Sequence, residues 1–336
     1  MENISEIRSE IPDAAVADEQ IQDPSLEAEA APNREPKKLK GVSYGKWGYL
    51  FIAPFFIVFL IFQLYPMIYT LILSFTDLAG WKLDFDFIGP ENFRVVLSDK
   101  VFWKSIGNTF IIWGINFIPQ MFFALLFAAM FTTQRLKLHL KGFFKVVYFM
   151  PSIITAASVS VLFYQLFNYP AGSMYQLFSN LGLIPEGFNF YLNNWSARLL
   201  VSFIQFWMWF GNTMVILIAG ILGVDPSLYE AAELDGASRV RQFFSITLPL
   251  IKPIMLYTLI TSLVGGLQIF DIPYLFLAGG PDNATLTISV YIYRYAFVNS
   301  GFYYNYASAA SVILMLIAVV LCLALWRVFY GKKEKA

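Results

Sequence analysis

The sequence contains few charged residues, one cysteine and one histidine. Only 14% of its 336 residues are charged, and the single cysteine and histidine are Cys322 and His139. One cysteine cannot form a disulfide within the chain, and a metal site built from a Cys/His cluster is excluded. We therefore expect no metal site, with Cys322 a small packing residue and His139 a solvated side chain in a basic loop.

The sequence also lacks the motifs of an ATP-hydrolysing or metal-dependent enzyme. It has neither a Gly-rich phosphate loop of the form G-x-x-x-x-G-K-[ST] nor an H-E-x-x-H helix. We therefore predict that this chain is not an enzyme and binds no cofactor itself. Its net charge is zero, which gives no indication of nucleic-acid binding.

Apolar residues dominate instead, and they occur in long runs. Hydrophobic residues make up 58% of the chain, and the mean hydropathy of +0.60 is typical of an integral membrane protein. A helix needs about 20 residues to cross a bilayer, and backbone groups in lipid must be satisfied within the segment. The sequence therefore predicts an all-α membrane protein with six spans: Trp47–Thr76, Ser105–Gln134, Val146–Pro185, Leu199–Val224, Pro253–Phe270 and Tyr295–Trp326.

The third of these runs is long enough for two helices. The sequence Tyr169-Pro170-Ala171-Gly172 interrupts it, because proline and glycine disfavour a continuing helix. We predict one span there, followed by an outer segment in which Ser173–Leu183 is a short interfacial helix.

Lysine and arginine are distributed unequally between the two sides that six spans define. Seventeen lie on the side of both termini and six on the other, namely Lys82, Arg94, Lys100, Lys104, Arg198 and Arg294. Positive residues favour the cytoplasmic side. The sequence therefore predicts a multi-pass protein of the cell membrane with both termini in the cytoplasm.

The two ends of the chain differ from the apolar centre. Residues 1–40 contain ten acidic residues and no aromatic ones, a composition typical of a disordered tail. We predict a solvated cytoplasmic tail there and leave a regulatory role open. The membrane domain is then 41–331, and 332–336 form a basic cytoplasmic end.

A polar loop, 225–253, separates the fourth and fifth spans. Asp225 followed by Pro226 predicts a helix start, and Gly236 predicts its end. Ser238 predicts the cap of a second helix, Arg239–Leu248, which Pro249 closes. The loop is therefore predicted to be a helix-turn-helix outside the bilayer.

The same loop resembles the cytoplasmic coupling loop of permease subunits in binding-protein-dependent ABC importers. The residues that carry the likeness are Glu230, Ala231, Ala232, Gly236, Ala237, Ile246, Leu248 and Pro249. We call residues 225–253 the coupling loop. The resemblance covers roughly residues 45–330 and is greatest to carbohydrate importers, including the larger maltose permease. The resemblance to sugar importers in particular rests on four segments: Gly89-Pro90-Glu91-Asn92-Phe93, Phe102-Trp103, Asn108-Thr109, and Gly279-Gly280-Pro281 with Thr285.

This resemblance implies a fold and a set of partners. The fold would be that of a type I ABC importer permease. The partners would be a second permease subunit, with a heterodimer expected, an ATPase dimer that binds ATP and magnesium, and an extracytoplasmic sugar-binding protein. The chain would form half of the path for a sugar, an oligosaccharide being favoured, by alternating access.

Candidate residues of that path lie in the spans beside the coupling loop. Trp209, Asn212, Ser262 and Gly266 match, by distance from the loop, positions that contact sugar in the family. Gln205, Gln268 and Asp271 are added because they are polar. Gln205, Trp209 and Asn212 share one helix face, and Asp271 is an acidic residue in an apolar stretch. Asn108, Asn116 and Gln120 of the second span are also considered as part of a polar path. For all of these residues the alternative is a hydrogen bond that ties helices together.

Three other functions stay open at this point. A permease for a non-sugar solute would carry the same coupling loop. An ion-coupled secondary transporter would usually have several ionisable residues within its spans, and only Asp271 qualifies. An intramembrane enzyme would need a metal or nucleophile set, and the sequence offers none.

Overall fold

The computed structural model describes residues 45–82, 84–133 and 141–330, and in these residues it is helical with one isolated β-bridge between Thr76 and Phe87. The acidic tail, the basic end at 332–336 and His139 lie outside the described residues. Contacts divide the chain into two units, Met1–Phe56 and Ile57–Ala336. The described part of the first unit is a helical segment, 45–56. The helical bundle described in the next paragraphs belongs to the second unit.

The described residues form fifteen α-helices, which we number in chain order. Their bounds are α1 Gly45–Phe59, α2 Tyr65–Leu73, α3 Glu91–Ser98, α4 Lys100–Thr132, α5 Lys141–Phe149, α6 Ala156–Phe167, α7 Ser173–Asn180, α8 Asn194–Leu222, α9 Pro226–Leu234, α10 Arg239–Gln242, α11 Leu248–Leu250, α12 Lys252–Leu267, α13 Asp271–Leu277, α14 Ile288–Tyr293 and α15 Tyr304–Tyr330. Short π-helical turns lie at Leu60–Leu64, Phe243–Thr247 and Arg294–Val298, and a 3₁₀ turn lies at Met150–Ile153.

Five helical segments of the described residues are long and apolar enough to cross a membrane. They are Gly48–Leu73, Lys100–Thr132, Asn194–Leu222, Lys252–Leu277 and Tyr304–Phe329. A sixth candidate is the pair Lys141–Ile153 and Ala156–Phe167, which bends by 95°. The prediction of six spans therefore holds if the bent pair counts as one span.

The third span is interrupted where the sequence predicted, but it also contains a sharp bend that the sequence did not predict. Helix α6 does end at Phe167, beside the predicted Tyr169–Gly172 break, but the 95° bend follows Met150-Pro151. Pro151 has no N–H to continue the helix, and Thr155 accepts a bond from the Ser158 N–H and starts α6 anew. Gly211 of α8 packs so closely here that a Cβ atom would lie 1.9 Å from the Tyr148 carbonyl oxygen.

The last span starts later than predicted, at Tyr304 rather than Tyr295. Tyr295 lies in the π-helical turn after α14, and residues 299–303 separate that turn from α15. Phe302 has a φ of +42° there, a left-handed conformation that interrupts a helix. The Gly80 N–H also donates to the Gly301 carbonyl. The loop between α2 and α3 is therefore bonded to this break.

Helices α4 and α8 form the centre of the bundle. Both contribute fully buried side chains, such as Ile112 of α4 and Ile204 of α8. The Gln120 amide donates to the Thr213 hydroxyl at 2.7 Å, so a buried polar pair joins the two helices. Of the two roles considered for Gln120, a helix tie is the one that the structure supports.

Candidate functional site

The first helix of the coupling loop forms as the local signals predicted. Helix α9 runs from Pro226 to Leu234, and the Asp225 carboxylate accepts from the Ser227 N–H at 2.9 Å. This bond holds the pKa of Asp225 below its usual range. The cap and the proline at the first helical position thus fix where the helix begins.

Gly236 ends that helix with a paired set of backbone bonds. Its φ is +74°, a conformation that glycine adopts without strain. The Gly236 N–H donates to the Glu233 carbonyl and the Ala237 N–H donates to the Ala232 carbonyl. These two bonds are the Schellman pattern, which satisfies the last carbonyls of a helix.

The second half of the coupling loop differs from the prediction at its end. Ser238 caps α10, as predicted, but the helical segment does not stop at Pro249. It passes through the π-helical turn Phe243–Thr247 and ends at Leu250. Pro249 is tolerated because it lies in the first turn of α11, where its missing N–H leaves no bond unmade.

Side-chain contacts hold the two halves of the coupling loop together. The hydroxyls of Tyr229 and Thr247 are 2.9 Å apart, and the Gln242 amide donates to the Ala237 carbonyl at 3.2 Å. Leu248 packs against the buried cluster that includes Leu217 and Ile251. The C-terminal part of the motif therefore anchors the loop on the bundle.

The N-terminal part of the motif points away from the bundle. Glu230, Ala231 and Gly236 are exposed, whereas Ala232, Ala237, Ile246 and Leu248 are partly buried. Five large apolar side chains of the loop are also exposed, and Leu234 reaches 91% exposure: Leu228, Leu234, Val240, Phe244 and Leu250. The coupling loop thus exposes several apolar side chains together with the Glu230 carboxylate.

A second structured segment follows the fifth span, and we call it the Gly-Gly-Pro turn (Ala278–Ile288). Four of its residues have positive φ: Ala278, Gly279, Asp282 and Asn283. Such a backbone cannot pair its carbonyls in helical fashion, so the carbonyls need other donors. Within the turn, the Thr285 hydroxyl donates to the Gly280 carbonyl at 2.6 Å.

Basic side chains from three separate elements supply three of the other donors. Lys104 donates to the Asp282 carbonyl at 2.5 Å and pairs with its carboxylate at 3.1 Å. Arg198 donates to the Ala284 carbonyl at 3.0 Å. Arg294 donates to the Ala278 carbonyl and, at 2.9 Å, to the Asn283 side chain. Half of the six cations assigned to the outer side therefore bind one turn.

Asn108 completes this network and links it to the core. Its amide donates to the carbonyls of Asn283 at 2.7 Å and Leu286 at 3.1 Å, and its oxygen accepts from Arg198 at 2.8 Å. The predicted alternative of a helix tie thus holds for Asn108. The network joins the N-terminal ends of α4 and α8 to the end of α13. The coupling loop follows the C-terminal end of α8, so it lies at the opposite end of the bundle.

The path candidates of the fourth span differ in how far they are exposed. Gln205 is buried at 6% exposure, Trp209 is 50% exposed, and Asn212 is partly buried. They lie on one continuous helix at i, i+4 and i+7, as predicted. No hydrogen bond joins them to the candidates of the fifth span in the described part of the chain.

The path candidates of the fifth span surround a break in that span. Helix α12 ends at Leu267 and α13 begins at Asp271, and Gln268 and Asp271 on either side are exposed. Gly266 is buried and Ser262 is partly buried on the preceding turn. Interrupted helices within transporters commonly line the substrate site, because their free backbone groups need water, protein or solute.

One residue near this break was missed by the sequence analysis. The Trp113 indole N–H donates to the Ser262 hydroxyl at 3.2 Å, and a Cβ atom on Gly266 would lie 2.1 Å from the Trp113 ring. Trp113 thus contacts two path candidates at once. The residues are about 150 positions apart in the sequence, so no local pattern indicated the contact.

Comparisons with known proteins were consistent with this architecture. The family described as "binding-protein-dependent transport system inner membrane component" matches residues 120–335. The lactose transport system permease protein LacF of Rhizobium radiobacter is 33% identical, covering 86% of this chain and 94% of that protein. The arabinooligosaccharides transport system permease protein AraP of Bacillus subtilis is 31% identical, covering 82% and 86%.

A solved structure shares the fold. It is a bacterial alginate ABC transporter in complex with alginate pentasaccharide-bound periplasmic protein. One chain of it matches with a TM-score of 0.72 and 24% identity, over 83% of this chain and 92% of that chain. At this identity the likeness concerns the arrangement of helices.

Proposed function

Because this chain belongs to the family of binding-protein-dependent transport system inner membrane components, we propose that it forms half of the translocation path of an ATP-driven sugar importer. The observation that carries the sugar assignment is its likeness, over most of its length, to permeases named for lactose and arabinooligosaccharides. An oligosaccharide is the favoured substrate, since these two relatives are named for a disaccharide and for oligosaccharides.

The path combines polar and aromatic groups where the fifth span is interrupted. Ser262, Gln268 and Asp271 supply hydrogen-bonding groups for sugar hydroxyls, and Trp209 supplies an exposed ring. Small-molecule sites commonly pair a few polar groups with apolar and aromatic walls. A second permease subunit, of a different sequence, would provide the other wall.

The energy for transport comes from a separate ATPase dimer, which binds ATP and magnesium. The coupling loop is the surface that we assign to this partner, because Leu228, Leu234, Val240 and Phe244 are exposed beside Glu230. A cluster of exposed apolar side chains outside a bilayer commonly marks a contact with another protein. Closure of the ATPase pair on ATP would then move the loop and switch the path between its two orientations.

The charge distribution orients the protein in the membrane. Lys104, Arg198 and Arg294 bind the Gly-Gly-Pro turn at one end of the bundle, and this end faces outward. The coupling loop at the other end faces the cytoplasm, where ATP is available. The outer end would receive sugar from an extracytoplasmic binding protein. The domain limits given above, with residues 1–40 a cytoplasmic tail, follow from the same topology.

Co-purification tests this function. The chain is tagged at its C-terminus in its native host and extracted in mild detergent. We expect a second six-span permease and a P-loop ATPase to be recovered with it, and uptake of labelled sugar when the complex and its binding protein are placed in liposomes. Recovery of the chain without any ATPase would contradict the proposal. Uptake confined to a non-sugar solute would reassign the substrate.

A further inference from the structure

We propose that Trp113 is a specificity-determining residue of the sugar path, an inference that rests on the function proposed above. Its indole would form an aromatic wall on which the apolar C–H face of a sugar ring packs. The residue lies on α4, where the sequence analysis considered only the polar residues Asn108, Asn116 and Gln120. Four observations support this assignment.

The first observation is the position of Trp113 along its membrane-spanning helix. Trp113 is the fourteenth of the 33 residues of α4, about 20 Å along the helix axis from Lys100. Ser262 and Gly266 are the eleventh and fifteenth of the 26 residues of their span. Tryptophan in membrane proteins is enriched at the two interfaces. A tryptophan halfway along its span, facing the middle of another, is therefore not placed as an interfacial anchor.

The second observation is the room that the fifth span leaves for the ring. Any side chain on Gly266 would begin 2.1 Å from the Trp113 ring, a separation that no Cβ atom tolerates. Gly266 therefore acts as a recess for the indole. The Ser262 hydroxyl accepts a hydrogen bond from the indole N–H at 3.2 Å. This bond satisfies the one polar group of the indole and fixes the plane of its ring.

The third observation is the aromatic neighbour. Phe117, one turn further along α4, stacks on Trp113 with ring centroids 5.2 Å apart and an interplanar angle of 17°. Both rings are only partly buried. Phe117 therefore covers one face of the indole and leaves the other face for a ligand. Stacked aromatic pairs also hold their geometry better than a single ring.

The fourth observation is the break in the fifth span next to Gly266. The helix stops at Leu267, and Gln268 and Asp271 are exposed there. Gln268 and Asp271 thus lie two and five residues beyond the glycine that the indole packs against. This combination of a few polar groups with an aromatic wall is what binds small polar organic molecules in most protein sites.

The experiment compares Trp113→Met, which fills space without a ring, with Trp113→Phe, which keeps one. The matched control is Phe122→Met, the same kind of change at a 61% exposed aromatic residue on the same helix. Phe122 lies nine residues beyond Trp113, which places it on the opposite face. The assembled complex is placed in liposomes with its binding protein. Labelled lactose, an arabinotriose and a short alginate fragment serve as probes.

The readout is sugar imported per ATP hydrolysed. We expect Trp113→Met to lower this ratio about tenfold while ATP hydrolysis continues, and Trp113→Phe to stay within about threefold of the parent. Phe122→Met should leave the ratio unchanged. An unchanged ratio in Trp113→Met, or an equal loss of import and hydrolysis, would show that Trp113 only packs helices. If the parent complex imports none of the three sugars, the proposed function fails and this inference fails with it.

Discussion

The Gly-Gly-Pro turn and the coupling loop lie at opposite ends of the bundle, and they are stabilised in different ways. In the Gly-Gly-Pro turn, carbonyl groups accept from Lys104, Arg198 and Arg294, which come from three distant parts of the chain. The bonds that shape the coupling loop instead link residues of the loop itself, such as Tyr229 and Thr247. The turn is completed by its own chain, whereas the loop has the features of a segment that a partner completes.

Exposure follows the same division. Residues Ala284 to Ile288 of the Gly-Gly-Pro turn are buried. In the coupling loop, Leu234 and Val240 are 91% and 67% exposed. A well-satisfied segment tolerates little change without loss of stability. A substitution on a surface that a partner covers has little effect on the fold of this chain. It weakens instead the binding of the partner or the coupling of ATP hydrolysis to transport. The following predictions use that contrast.

The largest effect is expected for Gly236→Pro in the coupling loop. Proline cannot adopt the φ of +74° and has no N–H for the bond to the Glu233 carbonyl. Sugar uptake should fall to background while the amount of protein in the membrane stays near that of the parent. Gly236→Asn is the control, because asparagine tolerates this conformation better than most residues. Normal uptake in Gly236→Pro would show that the turn is not needed for coupling.

Glu230→Lys tests the same surface through charge. The exposed carboxylate is predicted to meet a cation of the ATPase, so reversing its sign should abolish uptake without lowering membrane levels. Measuring uptake together with ATP hydrolysis separates lost coupling from lost protein. Uptake equal to that of the parent would remove Glu230 from the contact.

Arg198→Leu should affect the other end of the molecule through stability. The change removes the donors to the Ala284 carbonyl and the Asn108 oxygen. Leaving such groups unsatisfied costs about 1–3 kcal/mol, which should appear as a lower Tm in detergent and less protein in the membrane. Arg94→Leu is the control, since Arg94 is an exposed arginine assigned to the same side. Equal Tm values for the two variants would contradict the role given to the Arg198 bonds.

Leu234→Ser should weaken assembly without changing the fold. Leu234 is 91% exposed, so its loss cannot open a cavity in this chain. We expect the ATPase to bind about tenfold less tightly, the effect of removing about 1.4 kcal/mol of apolar contact. The control Leu192→Ser changes a 75% exposed leucine at the opposite end. Loss of ATPase binding in the control variant, or its retention in Leu234→Ser, would argue against the docking surface.

The smallest perturbation tests only the sidedness of the two ends. Single cysteines at Ser238 and at Leu192 are introduced with Cys322 replaced by alanine. Both positions are exposed, so a cysteine at either one is open to a reagent present on its own side of the membrane. An impermeant thiol reagent added to intact cells should label the cysteine at 192 and not the one at 238. The reverse labelling pattern would invert the topology.

The parts of the structure that the sequence predicted well depend on local signals. Asp225, Pro226 and Gly236 determine where α9 begins and ends, because caps and turn residues act over a few positions. The apolar runs were found because the thickness of a bilayer fixes helix length. The same local signals explain why the helical identity of the coupling loop was predicted while its exact end at Leu250 was not. A π-helical turn has no recognisable sequence pattern.

The features that were missed depend on distant contacts. The 95° bend after Met150-Pro151 requires Gly211 of α8 to make room, and a proline alone does not indicate how sharply a helix bends. Arg198 was counted as a charge, but its bonds to Ala284 of the Gly-Gly-Pro turn and to Asn108 of α4 join residues 86 and 90 positions apart. The contact between Trp113 and Gly266 is of the same kind.

Amide hydrogen exchange, measured with and without the ATPase subunits, tests most directly the claim that a partner completes the coupling loop. In the assembled complex, the amides of residues 226–248 should exchange slowly, and they should exchange faster once the ATPase is removed. The amides of residues 278–288 should be equally protected in both states, because their bonds lie within this chain. Equal protection of 226–248 in the two states would contradict the account.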